Sequence, residues 1–143
     1  MQIKNYNNID LNKVVRKVDI IIPAQTAKLG PPVGPVLGQV KIKVKDFCTL
    51  FNDSTKVFKL GLPLPVVVLV FKNETFNFLV KTPVVSFLLK NLITINKSNT
   101  LTLLDIYKIA LIKKQDFDHL ELKTVFKNIL ITAKSLKIKI LIN

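Results

Sequence analysis

Apolar positions along this chain follow two different periods, and the change falls near its middle. Val14 to Ile22 is rich in β-branched residues and stops at Pro23, which predicts a strand. Ile42, Val44, Phe47, Cys48, Leu50 and Phe51 recur at mostly helical spacing, with Lys41, Lys43, Lys45, Asp46 and Asn52 between them, and predict a helix of about three turns. Leu64 to Phe71 and Thr75 to Lys81 read as two strands joined around Lys72-Asn73-Glu74, a hairpin with helices over one face.

Beyond Lys81-Thr82-Pro83 the period is helical, and the residue before a proline is pushed toward extended backbone, so this tripeptide reads as a linker. Val84, Val85, Phe87, Leu88, Leu89 and Leu92 predict one short helix. After a polar loop from Asn96 to Thr100, a second helix carries Leu103, Leu104, Ile106, Tyr107, Ala110 and Leu111, with Thr102 and Asp105 as its capping pair. Asp118, with Glu121 three positions on, is the expected N-cap of a third helix bearing Leu122, Val125, Phe126, Ile129, Leu130 and Ala133. Lys137 to Ile142 alternates basic and apolar residues, as a short strand or tail. The expected fold class is α+β. A small α+β domain over residues 14–80 (strand, two helices, β-hairpin) precedes the linker 81–83 and an all-α three-helix domain over 84–143. Residues 1–13 are polar and asparagine-rich and read as an extension without an assigned role.

One stretch fits neither period. Gly30-Pro31-Pro32-Val33-Gly34-Pro35-Val36-Leu37-Gly38-Gln39 holds three prolines and three glycines in ten residues. Pro31 and Pro32 suit the opening of a stubby helix and Gly38 its close, giving a rigid element at the surface.

Charge narrows the function classes. The chain of 143 residues carries 22 Lys and Arg against 9 Asp and Glu, a formal net charge of +13. Residues 1–80 hold 11 basic and 5 acidic groups and residues 81–143 hold 11 and 4, so the basicity is spread and does not form a tail. A polyanion is the default partner. Only Arg16 is an arginine, and lysine binds phosphate as a point charge without the bidentate fork that reads base edges. The mean hydropathy of +0.37 raises the question of a membrane. The longest apolar runs, however, fall short of the ~20 residues that span a bilayer. No membrane and no small-molecule substrate are expected. An enzyme is disfavoured as well: there is no Gly-x-x-x-x-Gly-Lys loop, Cys48 and His119 stand alone in their kinds, and no catalytic residue, metal or cofactor is expected. On the third predicted helix, Lys123, Lys127 and Lys134 fall within roughly 40° of one another at 100° per residue, a basic rail away from the apolar stripe.

The proline-glycine decapeptide, Ile22-Pro23-Ala24, Phe47-Cys48-Thr49-Leu50-Phe51-Asn52, Gly61-Leu62-Pro63-Leu64-Pro65, Lys81-Thr82-Pro83 and Thr132-Ala133-Lys134-Ser135 also stand in a familiar order and spacing. From about Lys17 to Ile138 the chain resembles the bacterial-type L-eleven family of large-subunit ribosomal proteins. The resemblance implies a structural constituent whose C-terminal domain binds the GTPase-associated centre of large-subunit ribosomal RNA. The implied contacts are Lys81, Thr82, Lys90, Lys123, Lys127, Thr132, Ala133, Lys134 and Ser135. It also implies a factor- or antibiotic-facing surface of Pro31, Pro32, Val33, Gly34 and Pro35, with stalk-base ribosomal proteins and translational GTPases as partners. Against the family's pattern, Leu29 and Val84 replace prolines, Lys41, Ile131 and Lys137 replace glycines, and the loop from Ile95 to Thr100 is short. The frequent Lys, Asn, Ile, Leu and Phe point to an AT-rich genome. An organelle-encoded protein of the mitochondrial matrix would need none of the import or secretion signals that the N-terminus lacks. A non-ribosomal basic RNA-binding protein is the nearest alternative.

Overall fold

A computed structural model describes residues 10–142, so most of the expected extension lies outside the described residues. The chain divides after Lys81 into two compact units.

In the first unit β1 (Val14–Pro23), β2 (Pro63–Phe71) and β3 (Phe76–Val80) form an antiparallel sheet with β2 in the middle. The register pairs Val18 with Val68 and Val68 with Phe78, so side chains of equal parity share a face. One face, built from Ile22, Val66, Val68 and Val70, packs under α1 (Val33–Gly38) and α2 (Val44–Ser54). Its centre is aromatic: Phe47 stacks on Phe51 at 5.9 Å and meets Phe76 and Phe78 edge-on at 5.9 and 5.3 Å. β2 is buried on both faces, because Val67 and Leu69 join Leu79 in a second small cluster. Cys48 lies in the main core, and burial pushes its thiol pKa up, as befits a small hydrophobe.

The second unit packs α3 (Val85–Asn96), α4 (Leu103–Lys114) and α5 (Leu122–Ser135) around Leu89, Ile106, Ile109, Val125 and Ile129. To these the structure adds a two-stranded parallel sheet of β4 (Thr100–Thr102) and β5 (Lys139–Leu141), which pairs Leu101 with Ile140. The alternation after Lys137 therefore forms a strand. α5 begins later than expected, with Glu121 and not Asp118 at its N-cap. Asp118 sits in a turn in which Leu120 N–H donates to the Phe117 carbonyl, and Phe117 and Leu120 pack against the core. Burying those two side chains outweighs an earlier helix start.

Both helices that flank this small sheet end in left-handed residues. At α5 the N–H of Ile138 donates back to the Ala133 carbonyl across Lys137 (φ 58°), and at α3 Ser98 donates to Ile93 across Lys97 (φ 50°). Lys41, between α1 and α2, is also left-handed at φ 57°. Lys41 and Lys137 are the positions at which the resemblance implies glycine, and here lysine takes up the left-handed backbone that glycine adopts most readily.

At the head of α4, Thr102 Oγ1 accepts from Asp105 N–H at 3.2 Å while Asp105 Oδ2 accepts from Thr102 N–H at 3.0 Å, a reciprocal capping box. The Thr102 backbone hydrogen bond, with help from its hydroxyl and from Lys108, holds the Asp105 carboxyl below the usual aspartate range. A lowered folded-state pKa contributes stability above the unfolded pKa and loses it as pH falls through the folded one. Asp105→Ala is accordingly expected to cost ~1 kcal/mol at neutral pH. In urea titrations at a series of pH values, the gap to wild type should narrow below about pH 4.

Candidate nucleic-acid interface

The interface is set by which arc of α5 the core consumes. Val125, Ile129 and Ala133 recur every four residues and are buried to 3%, 2% and 0% exposure. Leu122, Phe126 and Leu130 flank them, half-buried. The opposite arc carries Lys123, Lys127 and Lys134, all exposed. Lys123 and Lys134 lie about 16 Å apart along the axis, the reach of several phosphates. Beside the rail run Thr124, Asn128, Ile131 and Ser135, also exposed.

Three lysines absent from the expected set extend this face. Asn99 accepts the N–H of Lys139 at 3.0 Å and donates its side-chain amide to the Lys137 carbonyl at 3.2 Å. These bonds lay the short loop of Lys97, Ser98 and Asn99 against the chain leaving α5. Lys97, Lys137 and Lys139 are all exposed there, just beyond Lys134. The alternation of Lys137 and Lys139 with Ile138 and Ile140 was the available signal, although only Lys139 lies in β5 and Lys137 is the left-handed residue that ends α5. The unit's acids lie elsewhere: Asp105 is spent in the α4 cap, and Asp118 and Glu121 sit at the opposite end of α5.

Four of the expected RNA contacts are placed differently. The Ala133 side chain is wholly buried in the core and cannot meet a ligand. Thr82 is 7% exposed; its N–H donates to Asp116 Oδ1 at 3.0 Å and its hydroxyl to Asp116 Oδ2 at 2.6 Å. Lys113 Nζ completes the group, donating to the same Oδ2 at 2.9 Å and to the Thr82 carbonyl at 3.2 Å. With the Lys113 and Asp116 side chains 7% and 1% exposed, this is an internal ion pair that needs every one of those bonds. Thr82, buried with its N–H, hydroxyl hydrogen and carbonyl all engaged, is not presented to a ligand. The hydroxyls of Thr132 and Ser135 donate to the carbonyls of Asn128 at 2.9 Å and Thr132 at 2.7 Å. Each hydroxyl has one hydrogen, so both can accept from a ribose hydroxyl but do not donate to phosphate as placed. Lys90 is exposed on α3 and Lys81 half-exposed at the end of the first unit.

The loop leading into the proline segment is tied to α2 in the first unit. Asn52 on α2 accepts from the N–H of Ala27 at 2.9 Å and donates to its carbonyl at 3.1 Å, and Gln25 N–H donates to the buried Thr55 hydroxyl at 3.0 Å. Pro31, Pro32 and Pro35 are exposed, as is Leu29 at 63%. Val33 is 2% exposed and fills the core beneath α1, which removes it from the expected factor-facing set. Gly34 is required by close approach, since a Cβ there would stand 1.9 Å from the Leu29 carbonyl oxygen. Arg16 belongs to neither surface; it lines an open hollow of about 300 Å³ with Lys41, Lys72 and Glu74. Among the described residues no cluster of His, Cys, Asp or Glu could hold a metal, and no helix is long and apolar enough to cross a membrane.

Residues 18–76 match the family described as "Ribosomal protein L11, N-terminal domain", and residues 81–140 match "Ribosomal protein L11, RNA binding domain". The chain is 35% identical over 136 residues to the "Large ribosomal subunit protein uL11" of Rickettsia akari (strain Hartford), covering 88% of this chain and 94% of that one. The protein of the same description from Rickettsia felis (strain ATCC VR-1525 / URRWXCal2) is equally similar, and that of Rickettsia massiliae (strain Mtu5) is 34% identical over the same span.

The two arcs of α5 should separate in mutants. Ala133→Leu overpacks the core and is expected to lower stability by ~1–3 kcal/mol. Lys134→Ala, one residue along, should change the thermal unfolding midpoint by no more than an exposed substitution does, within about 0.5 kcal/mol.

Proposed function

The chain belongs to the ribosomal protein L11 family, a non-enzymatic constituent of the large ribosomal subunit that binds ribosomal RNA, and on that premise we propose that its second unit anchors it on the GTPase-associated centre at the stalk base. The observation that carries this reading is the lysine arc of α5, free along its length because the core takes up the opposite side. Lys123, Lys127 and Lys134 would neutralise phosphates, with Lys137, Lys139 and Lys97 continuing the contact past the helix end. Recognition by charge and shape suits folded RNA, whose deep major groove excludes side chains. It also suits a chain with one arginine.

The first unit would present Leu29, Pro31, Pro32 and Pro35 to translational GTPases and stalk proteins, on a segment whose prolines leave few backbone angles to fix on contact. Motion between the two units would fall at the peptide joining Lys81 to Thr82. On one side Lys81 N–H is bonded to the Pro65 carbonyl at 2.8 Å, and on the other Thr82 is held by Asp116 and Lys113. We further propose a mitochondrial, organelle-encoded ribosome as its location; the composition, rich in Lys, Asn, Ile, Leu and Phe, supports it.

Binding of the full-length protein to an RNA fragment folded as this centre, against an unrelated folded RNA over a salt series, tests the anchor. Selective binding is expected, weakening steeply with salt. The slope of log K against log salt should fall by about two to three units when Lys123, Lys127 and Lys134 are all changed to alanine. Equal affinity for both RNAs would overturn the reading.

A further inference from the structure

The other apolar side chains of α5 are buried or half-buried, whereas Ile131 is 65% exposed. It follows Lys127 by four residues and precedes Lys134 by three, so the three side chains are neighbours along one ridge of the helix. Lys127 and Lys134 are seven residues, or about 10 Å, apart along the axis, and Ile131 occupies the interval. The adjoining hydroxyls of Thr132 and Ser135 already donate to carbonyls of the helix itself. An RNA strand held at both ammonium groups runs alongside an isoleucine, about 40–60° round the helix from the two lysines.

Resting on the RNA-anchoring reading above, we propose that Ile131 is itself an RNA contact: it packs on the nucleoside that lies between the phosphates held by Lys127 and Lys134, and so sets the position of the RNA along the rail. Between successive phosphates RNA presents ribose and base, whose C–H edges and ring faces are its least polar surface. The shallow minor groove and unpaired segments bring those surfaces within reach of a helix. Isoleucine suits the task because its β-branch leaves one strongly preferred χ1 in a helix, so little rotamer freedom is lost on contact. Lysine contacts hold the backbone with little regard to its position along the strand. A fixed apolar side chain between them adds a constraint that charge alone does not supply.

The two kinds of contact differ in their salt dependence. Lysine–phosphate pairs release counterions and steepen the salt dependence, whereas apolar packing leaves it unchanged. The experiment uses full-length protein and the RNA fragment folded as the GTPase-associated centre, with wild type, Ile131→Ala, Ile131→Val and Lys134→Ala compared over one salt series. Alanine is the better helix former, so the helix is retained, which circular dichroism verifies. Ile131→Ala is expected to weaken binding about fivefold at every salt concentration with an unchanged slope. Ile131→Val should stay near wild type, and Lys134→Ala should lower the slope by about one unit. An Ile131→Ala variant that binds as well as wild type, or more tightly, would overturn the contact and make the side chain a bystander or an obstacle. Wild-type protein that fails to prefer this RNA over an unrelated one overturns the anchoring reading instead, and the contact with it.

Discussion

A helix packed on a core can give up only one arc, and in the second unit that constraint decides where everything else on α5 points. Val125, Ile129 and Ala133 must face Ile106, Ile109 and Ala110 to close the apolar centre. That requirement fixes the rotation of the helix about its axis. Lys123, Lys127 and Lys134 are then displayed together because of what is buried behind them, with no bond of their own to hold them in place. A reversed arrangement would bury three ammonium groups without partners, at a cost of several kcal/mol each. The binding face is thus specified by the hydrophobic pattern as firmly as by the lysines.

The placement of acids completes the electrostatics. Asp116 is drawn into the interior, where Lys113 and the Thr82 backbone and hydroxyl neutralise and satisfy it. Asp105 closes the α4 capping box. The remaining two, Asp118 and Glu121, precede α5 at the end where the helix dipole favours negative charge. Lys134, Lys137, Lys139 and Lys97 gather at the other end. The excess of basic residues becomes a directed field because its counter-charges are committed elsewhere.

Strong periodicity made most of the fold legible in the sequence. The three strands of the first unit, α2, the three helices of the second unit, and the capping pair of Thr102 and Asp105 followed from residue type and spacing along the chain. Residues whose fate depends on distant partners were less so. Thr82 is claimed by Lys113 and Asp116, more than thirty positions away, and nothing local announces that pairing. Val33 lies within a proline-rich surface segment yet faces inward, because a helix of six residues still needs a buried side. Ala133 continues the four-residue recurrence of Val125 and Ile129 and belongs to the apolar stripe that spacing predicts; only the family resemblance, through its neighbours Thr132, Lys134 and Ser135, made it an RNA contact. The alternation after Lys137 signals β5, but β4 is three residues with no period of its own, and the pairing of the two strands spans a long stretch of chain that no local pattern announces.

Chemical labelling of lysines in intact large subunits that contain this protein, followed by mass spectrometry and compared with the free protein, bears most directly on the central claim. Lys123, Lys127 and Lys134 should be protected in the subunit, while Lys45, Lys56 and Lys59 of the first unit, exposed in the structure, keep their reactivity. Modification of the three α5 lysines in the subunit as readily as in the free chain would contradict the account, since it would leave the one face that the core sets free without an RNA against it.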